Sequence, residues 1–453
     1  MNRFISALHG WPCVALSDLS GRLDAAGWGA RHWYLFGAVS LNYFLDGVVF
    51  AIAPLIAVIV VPELAVAIFA TNLVAEAVGS IVLGYLGDRW GRKATLILVN
   101  ALQVASTVPL FFLYTNGLAV WVLTSVLSFS VGGDYGASYA ALAELTPARH
   151  RGKAILLSTN FWNVGSAAIA GAALAYAAIY SDPLLQAQYV LLTALATLAV
   201  VVVLRVSVPE SPRWLYFRGR VEEASRIVSE IAKTARYAAS AGDRGRPGLP
   251  RRPGGPVFRF LVLASVTVSQ YVTYAMMAYY APYAPGFRFG AESAPLVILV
   301  ANAGASIGAP LLLPLIDRGR RAPLLISFLM GTVFSGLVLV GHELAFYGVF
   351  YAALFICLVF SEWAWGLISS LQSELFPTGV RSTAVGVLTG LTGFAGALVV
   401  LSQGVLDAAG FLLASTLLWA VGLAATVAWL VRGLETANRS VEEIEEELKT
   451  QHI

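Results

Sequence analysis

Four carboxylates stand inside long apolar runs of this sequence: Asp46, Glu76, Asp134 and Glu362. An ionised side chain at the centre of a membrane helix costs about 2.5–3.5 kcal/mol on insertion scales, so four of them need a reason. At about 1.5 Å per residue from the end of each run on the side that carries the Lys and Arg residues, all four lie roughly 15–20 Å deep, and Gln270 lies at a similar depth. A carboxylate so placed can take a proton when water reaches it from one side and release it to the other. The competing chemistry is a neutral acid hydrogen-bonded to a neighbouring helix. The sequence favours proton traffic for Asp46 and Asp134 and leaves the two readings level for Glu362 and Glu76. Polar and aromatic side chains share these depths: Asn42, Tyr43, Asn160, Trp162, Asn163, Tyr274, Trp363, Trp365 and Gln372. Rings beside amides suit a hydroxylated or planar organic solute, although packing or anchoring explains about half of such residues in any bundle. No Lys or Arg stands at mid-depth, which counts against inorganic phosphate.

The elements that carry these groups follow from composition. The chain has 453 residues, 58% hydrophobic and 12% charged, with a mean hydropathy of +0.75. Soluble domains carry about 25% charge, so a soluble enzyme is excluded. Stretches such as VLLTALATLAVVVVL are apolar on every side, which excludes the alternation of a membrane β-barrel. Twelve spans are expected, at 34–61, 63–86, 94–114, 118–144, 151–178, 187–206, 257–283, 291–316, 321–341, 345–373, 380–406 and 409–432. The chain then divides into an N-terminal arm (1–33), a six-helix bundle (34–206), a polar central stretch (207–256), a second six-helix bundle (257–432) and a tail (433–453). In the central stretch Ser211–Pro212 opens a helix, and Val221, Ala224, Ile227, Val228 and Ile231 form one apolar stripe; GDRGRPGLPRRPGGP closes it as a linker. In the tail Ser440 and Glu443 form a capping box.

All of the 29 Lys and Arg residues except Arg288 fall on one side of this arrangement. By the positive-inside rule both termini are cytoplasmic, in the cytoplasmic membrane. The basic residues are therefore topological, and the net charge of +3 gives no case for nucleic acid. Cys13 and Cys357 are too far apart in topology to pair, His9, His32, His150, His342 and His452 fall in arms or loops, and no metal, cofactor or nucleotide-loop spacing exists. The halves also repeat. GYLGDRWGRK at 84–93 returns, one residue shorter, as LPLIDRGRR at 313–321, and ELTPARHRG at 144–152 returns as ELFPTGVRS at 374–382. Parallel repeats imply two bundles about an axis along the membrane normal, with a site between them near the midplane.

These doubled loops, with PESPRWL at 209–215 and ETANRSVEEI at 435–444, resemble the major facilitator superfamily, in particular its sugar porters and related metabolite and phosphate symporters. The resemblance spans nearly the whole chain and implies an all-α membrane protein of twelve helices in two pseudo-symmetric six-helix bundles, read as a monomer. It implies that helices 1, 4, 7 and 10 line a cavity, so that Asp46, Asp134, Gln270 and Glu362 bring one polar group each. By the same resemblance a gate is assigned to Gly84, Asp88, Arg89, Arg92, Glu144, Arg151 and Glu210, with Asp317, Arg321, Glu374 and Arg381 in the second half. GGDYGASYAALAE at 132–144 resembles the fourth helix of phosphate symporters, which carries a solute contact to Asp134 and Tyr135; Gln270, Tyr279 and Tyr280 resemble the seventh helix of sugar porters. Thr124 departs from the arginine that opens helix 4 in many members. The function implied is secondary active transport of a small polar solute, a sugar or organic metabolite, by alternating access with proton symport. The alternatives are symport of phosphate or an organic anion with protons, a uniporter, or a non-transporting sensor of the same fold.

Overall fold

The computed structural model describes residues 22–23, 27–205, 208–234 and 254–450; Cys13, His9, His452 and most of the Gly/Pro/Arg linker lie outside them. Among the described residues, twelve helices are long and apolar enough to cross a membrane. They are α1 (Ala30–Val60), α2 (Ala65–Trp90), α3 (Arg92–Leu113), α4 (Gly117–Leu145), α5 (Ala148–Ile179), α6 (Pro183–Arg205), α7 (Pro256–Ala275), α8 (Ala294–Ile316), α9 (Arg321–Glu343), α10 (Tyr347–Glu374), α11 (Arg381–Leu401) and α12 (Ala408–Arg432). Among the described residues there is no strand.

The burial pattern suits a hydrocarbon solvent. Phe112, Val203 and Leu398 are each more than 70% exposed, while Asn42, Gln103, Asp134 and Gln372 are fully buried. Apolar side chains face outward and polar ones point into the bundle. The two six-helix halves meet mainly along α2 against α11 and α5 against α8. Glycine makes the first seam possible: a Cβ on Gly84 would lie 2.7 Å from the Ser382 carbonyl oxygen, and one on Gly386 would strike the Ser80 carbonyl. The bare backbone lets the helices close, and Ser80 Oγ donates across the seam to Gly386 O at 2.9 Å.

Three local features depart from a plain reading of hydropathy. Helix α7 changes register into a π turn at Met276–Tyr280 and a 3-10 turn at Ala281–Tyr283. Gln403 donates to the Tyr280 carbonyl at 2.7 Å, satisfying one backbone group of that irregular segment. Helix α11 stops at Leu401 and passes into a short 3-10 turn, several residues before the apolar run ends. His32, His150 and His342 sit in terminal turns of α1, α5 and α9 rather than in loops. Short helices at Pro212–Phe217 and Val221–Thr234 follow α6, and the tail forms a helix at Val441–Thr450. Its capping box closes in both directions, Glu443 N to Ser440 Oγ at 3.1 Å and Ser440 N to Glu443 Oε2 at 3.3 Å.

Candidate functional site

At the centre of the bundle lies a narrow cleft of about 30 Å³ lined by Tyr43, Tyr135, Thr159, Trp162, Asn163, Gln270, Tyr271, Tyr274, Glu362 and Trp365. It is supplied by α1, α4, α5, α7 and α10. The rings form an interlocked wall: Tyr135 lies 5.9 Å from both Trp162 and Trp365, and Tyr271 lies 6.0 Å from Trp365. Hydrogen bonds across the wall join the halves. Asn163 Nδ2 donates to Glu362 Oε2 at 2.7 Å, Trp162 Nε1 to the Tyr274 hydroxyl at 3.1 Å, and Asn160 Nδ2 to Ser306 O at 3.0 Å. The Tyr279 hydroxyl donates to Ser166 at 2.7 Å and meets the Tyr274 hydroxyl at 3.0 Å, behind the lining. Tyr271 donates to Glu76 Oε1 at 2.5 Å, so this α2 carboxylate touches the cavity wall from outside it.

The expectation that helices 1, 4, 7 and 10 each bring one of the four named polar groups to a single hollow is corrected in half. Gln270 and Glu362 line the cleft; Asp46 and Asp134 do not, and the α1 and α4 positions are taken by Tyr43 and Tyr135. A helix turns about 100° per residue, so Asp134, next to Tyr135, faces elsewhere; Asp46, three residues on from Tyr43 and only about 60° round the helix, is held aside by its hydrogen-bond partners. Asp46 accepts from Asn42 at 3.0 Å and from Gln103 of α3 at 2.7 Å, and Asn100 of α3 donates to Asn42 at 3.0 Å. Asp134 accepts from Ser138 at 2.8 Å. Asn42, Asn160, Tyr279 and Tyr280 likewise sit off the lining, and Trp363 and Gln372 bond to Gly308 O and Thr267. Thr124, in place of the arginine, meets Asn72 at 3.1 Å. Tyr271 escaped sequence reasoning; Asn100 and Gln103, three residues apart in an apolar run, were the legible sign of a partner for Asp46.

At the Arg-rich end the halves are locked by buried ions. Glu144 receives Arg92 through Nε at 3.0 Å and Nη2 at 2.9 Å, and Arg381 of the other half through Nη1 at 2.7 Å. All three side chains are 1% exposed or less. Arg92 also bridges to Thr378 O of the other half at 2.8 Å. Asp88 accepts from Arg92 at 3.1 Å and caps the start of α11, taking Thr383 N and Oγ1 at 2.7 Å and Ser382 N at 3.2 Å. This carboxylate meets unpaired amides at the positive end of a helix. Glu210 collects the amides of Ser211, Arg92 and Lys93 at 2.8–3.2 Å; burial pushes its carboxyl up, and the Ser211 amide and the Arg92 charge oppose that.

The second half needs a correction of register. Arg320, not Arg321, pairs with Glu374, at 2.8 Å and fully buried. Arg321 turns to the last turn of α12 and the tail, bonding Leu430 O at 3.2 Å with Glu435 at 3.8 Å. The second loop lacks a counterpart of Trp90, which shifts the arginine equivalent to Arg92 by one place. Asp317 meets Lys153 across the halves at 2.6 Å. Arg151 bonds Ala143 O at 3.0 Å and Arg439 O of the tail, while Arg89 bonds Tyr85 and stays exposed, outside the lock. The opposite end is closed by aromatic contacts. Phe50 lies 5.1 Å from Tyr279, Phe69 lies 5.3 Å from Tyr280, and the Tyr283 hydroxyl donates to Pro54 O. With both ends closed, the cleft is occluded.

Twelve membrane helices in two repeated halves around an occluded central cleft define a transporter of the major facilitator type. The chain belongs to the sugar (and other) transporter family, whose profile matches residues 60–448. It is 28% identical over 423 residues to the inner membrane metabolite transport protein YgcS of Escherichia coli K12, spanning 87% of this chain and 89% of that one. Over 229 residues it is 28% identical to the niacin transporter NiaP of Acinetobacter baylyi, 48% of this chain and 50% of that one. Among solved structures, the proton:xylose symporter XylE bound to 6-bromo-6-deoxy-D-glucose shares the fold with a TM-score of 0.73 at 20% identity, over 92% of this chain and 98% of that one. The inward open conformation of XylE from E. coli gives 0.64 at 20% identity, over 92% of this chain and 99% of that one. This protein is a multi-pass membrane transporter of a sugar or other small metabolite, and not an enzyme.

Proposed function

We propose that the protein is a proton-coupled symporter of a small polar organic solute, working by alternating access in the cytoplasmic membrane with both termini cytoplasmic. The observation that carries this reading is the occluded, ring-lined cleft whose wall includes the Glu362 carboxylate, with Glu76 bonded to Tyr271 behind it. The cleft holds the solute; Asp46, Asp134, Glu76 and Glu362 are the proton sites; Tyr135, Trp162, Asn163, Gln270, Tyr274 and Trp365 are the solute contacts. The ion lock of Arg92, Glu144 and Arg381 with Asp88 holds the cytoplasmic end shut while the other end opens. Proton coupling agrees with what XylE is described to do, and an organic solute agrees with a metabolite or niacin carrier. A phosphate dianion fits poorly, since no Lys or Arg lines the cleft among the described residues.

The test is uptake by proteoliposomes with and without an imposed pH gradient, using solutes found by a thermal-shift screen. Accumulation should require the gradient and collapse with a protonophore. Asp46→Asn, Asp134→Asn, Glu76→Gln and Glu362→Gln are then compared for loss of accumulation with retained exchange. If all four concentrate solute as well as the parent, the proton sites are wrongly assigned; uptake that only equilibrates identifies a uniporter.

A further inference from the structure

The nitrogen donors of the cleft are spent inside the protein. Trp162 Nε1 is on Tyr274, Asn163 Nδ2 on Glu362 and Asn160, and Gln270 Nε2 on Ser361 O and Oγ. These partners fix both amides, because a carboxylate and a carbonyl oxygen can only accept. What remains of the amide and carboxylate groups is a pair of acceptors, with the Tyr43 and Tyr135 hydroxyls in the same lining. Glu362 Oε1 and Gln270 Oε1 have no hydrogen-bond partner among the described residues, though their residues are only 4% and 3% exposed. A buried acceptor left unmet costs about 1–3 kcal/mol, more when charged. Six rings surround the pair, those of Tyr43, Tyr135, Trp162, Tyr271, Tyr274 and Trp365, and no Lys, Arg or His joins the lining. Ring faces carry negative potential and attract cations.

Each class of solute can be weighed against that wall. An organic anion would meet a carboxylate with no free amide or indole donor from Trp162, Asn163 or Gln270 to receive it. A neutral polyol could donate to Glu362 but would find those nitrogens already engaged for its own acceptor oxygens. A protonated amine supplies donors and charge together and lays its carbon body on the rings.

We propose that the cleft is built for an organic monocation, a primary or secondary ammonium on a compact apolar or aromatic body. Glu362 is its counter-ion, Gln270 Oε1 its second acceptor, and the aromatic wall its cation–π surface. The assignment rests on the transport function proposed above and narrows its solute. While the solute is bound Glu362 pairs with its charge, and the proton that travels with it sits on the other proton sites, Asp46 and Glu76 foremost.

The test uses the full-length protein in detergent and two sets of isosteres: tyramine, 4-hydroxyphenethyl alcohol and 4-hydroxyphenylacetate; and butylamine, butanol and butyrate. Binding is read by thermal shift and tryptophan fluorescence. In at least one set the amine should bind at least about tenfold more tightly than the alcohol, with no saturable binding of the carboxylate. Glu362→Gln should bring the amine-to-alcohol ratio to about one, and Glu362→Asp should keep the preference. Should Glu362→Gln not fold, the isosteres on the parent protein decide alone. The proposal is overturned if the alcohol or carboxylate binds as tightly as the amine, if no amine binds, or if the preference survives Glu362→Gln. Binding in detergent does not depend on coupling. Amine selectivity with uptake indifferent to a pH gradient overturns symport and leaves the solute class standing, whereas gradient-driven uptake of a neutral or anionic solute does the reverse.

Discussion

Replacing Arg381 by Met should open the Arg-rich end. The change removes one charge-assisted bond between the halves, Arg381 Nη1 to Glu144 at 2.7 Å, together with an intra-half bond to Phe376 O at 3.1 Å. Glu144 keeps both bonds to Arg92, so it is not stranded, and the about 3–5 kcal/mol cost of breaking a buried pair outright does not apply. The relevant loss is one hydrogen bond to a charged group, about 1.5–3 kcal/mol, and it falls on the closed state alone because the bond spans the halves. At about 1.4 kcal/mol per factor of ten, the population open at this end rises about ten- to a hundredfold. Alkylation of a cysteine reached only from that end reads this fraction directly when opening is fast relative to reaction. Ser369, fully buried and bonded to Tyr139 on the Arg-rich side of the cleft, is the site to convert, in a background lacking Cys13 and Cys357. An impermeant maleimide should modify Ser369→Cys about ten to a hundred times faster when Arg381→Met is added. A rate within twofold of the parent would refute the lock.

Three further outcomes follow from the same geometry. Arg320→Met strands the fully buried Glu374 and should destabilise the protein by about 3–5 kcal/mol. Arg321→Met, partly exposed and 3.8 Å from Glu435, should cost under about 1 kcal/mol; equal shifts in thermal unfolding would refute the corrected register. Gly386→Leu drives a side chain into the Ser80 backbone, whereas a Cβ on Gly396 meets only the flexible Leu73 side chain at 3.4 Å or more. Size-exclusion profiles should therefore show loss of monodisperse protein for Gly386→Leu and none for Gly396→Ala, and a normal profile for the leucine variant would count against the α2–α11 seam. Tyr271→Phe leaves Glu76 without the hydroxyl that meets it across the halves, so unfolding should ease by about 1–3 kcal/mol, with a smaller effect for Glu76→Gln; an unchanged melting temperature would show the bond to be dispensable.

What the sequence disclosed and what it hid have a common physical cause. Spans are read from runs of apolar residues because every lipid-facing position must be apolar whatever lies behind it, so the twelve helices were legible. The direction in which a polar side chain points within a span is set by about 100° per residue and by its neighbours. Asp46 and Tyr43 are only three residues apart, yet one faces Gln103 of α3 and the other the cleft. Depth alone could not separate them. The polar pair Asn100 and Gln103, costly in an apolar helix, did carry that information. The π turn at Met276–Tyr280 was illegible for another reason, since its carbonyl partner, Gln403, lies far along the chain.

The repeat also allows the two halves to be weighed against each other, and they are not equal. Glu144 draws one arginine from each half, while its counterpart Glu374 is held by Arg320 of its own half. Asp88 caps a helix across the seam, whereas Asp317 meets the half-exposed Lys153. An exposed pair is worth about 0–1 kcal/mol and a desolvated, bidentate one several times more once either partner is removed. The energetic difference between closed and open at the Arg-rich end therefore rests on the first loop and α11, and the α5–α8 side supplies little of it. That asymmetry places the strongest effects on gating at Asp88, Arg92, Glu144 and Arg381. It also leaves Lys153→Ala with almost no effect on the alkylation rate, a comparison that distinguishes a polarised lock from one shared evenly by the repeats.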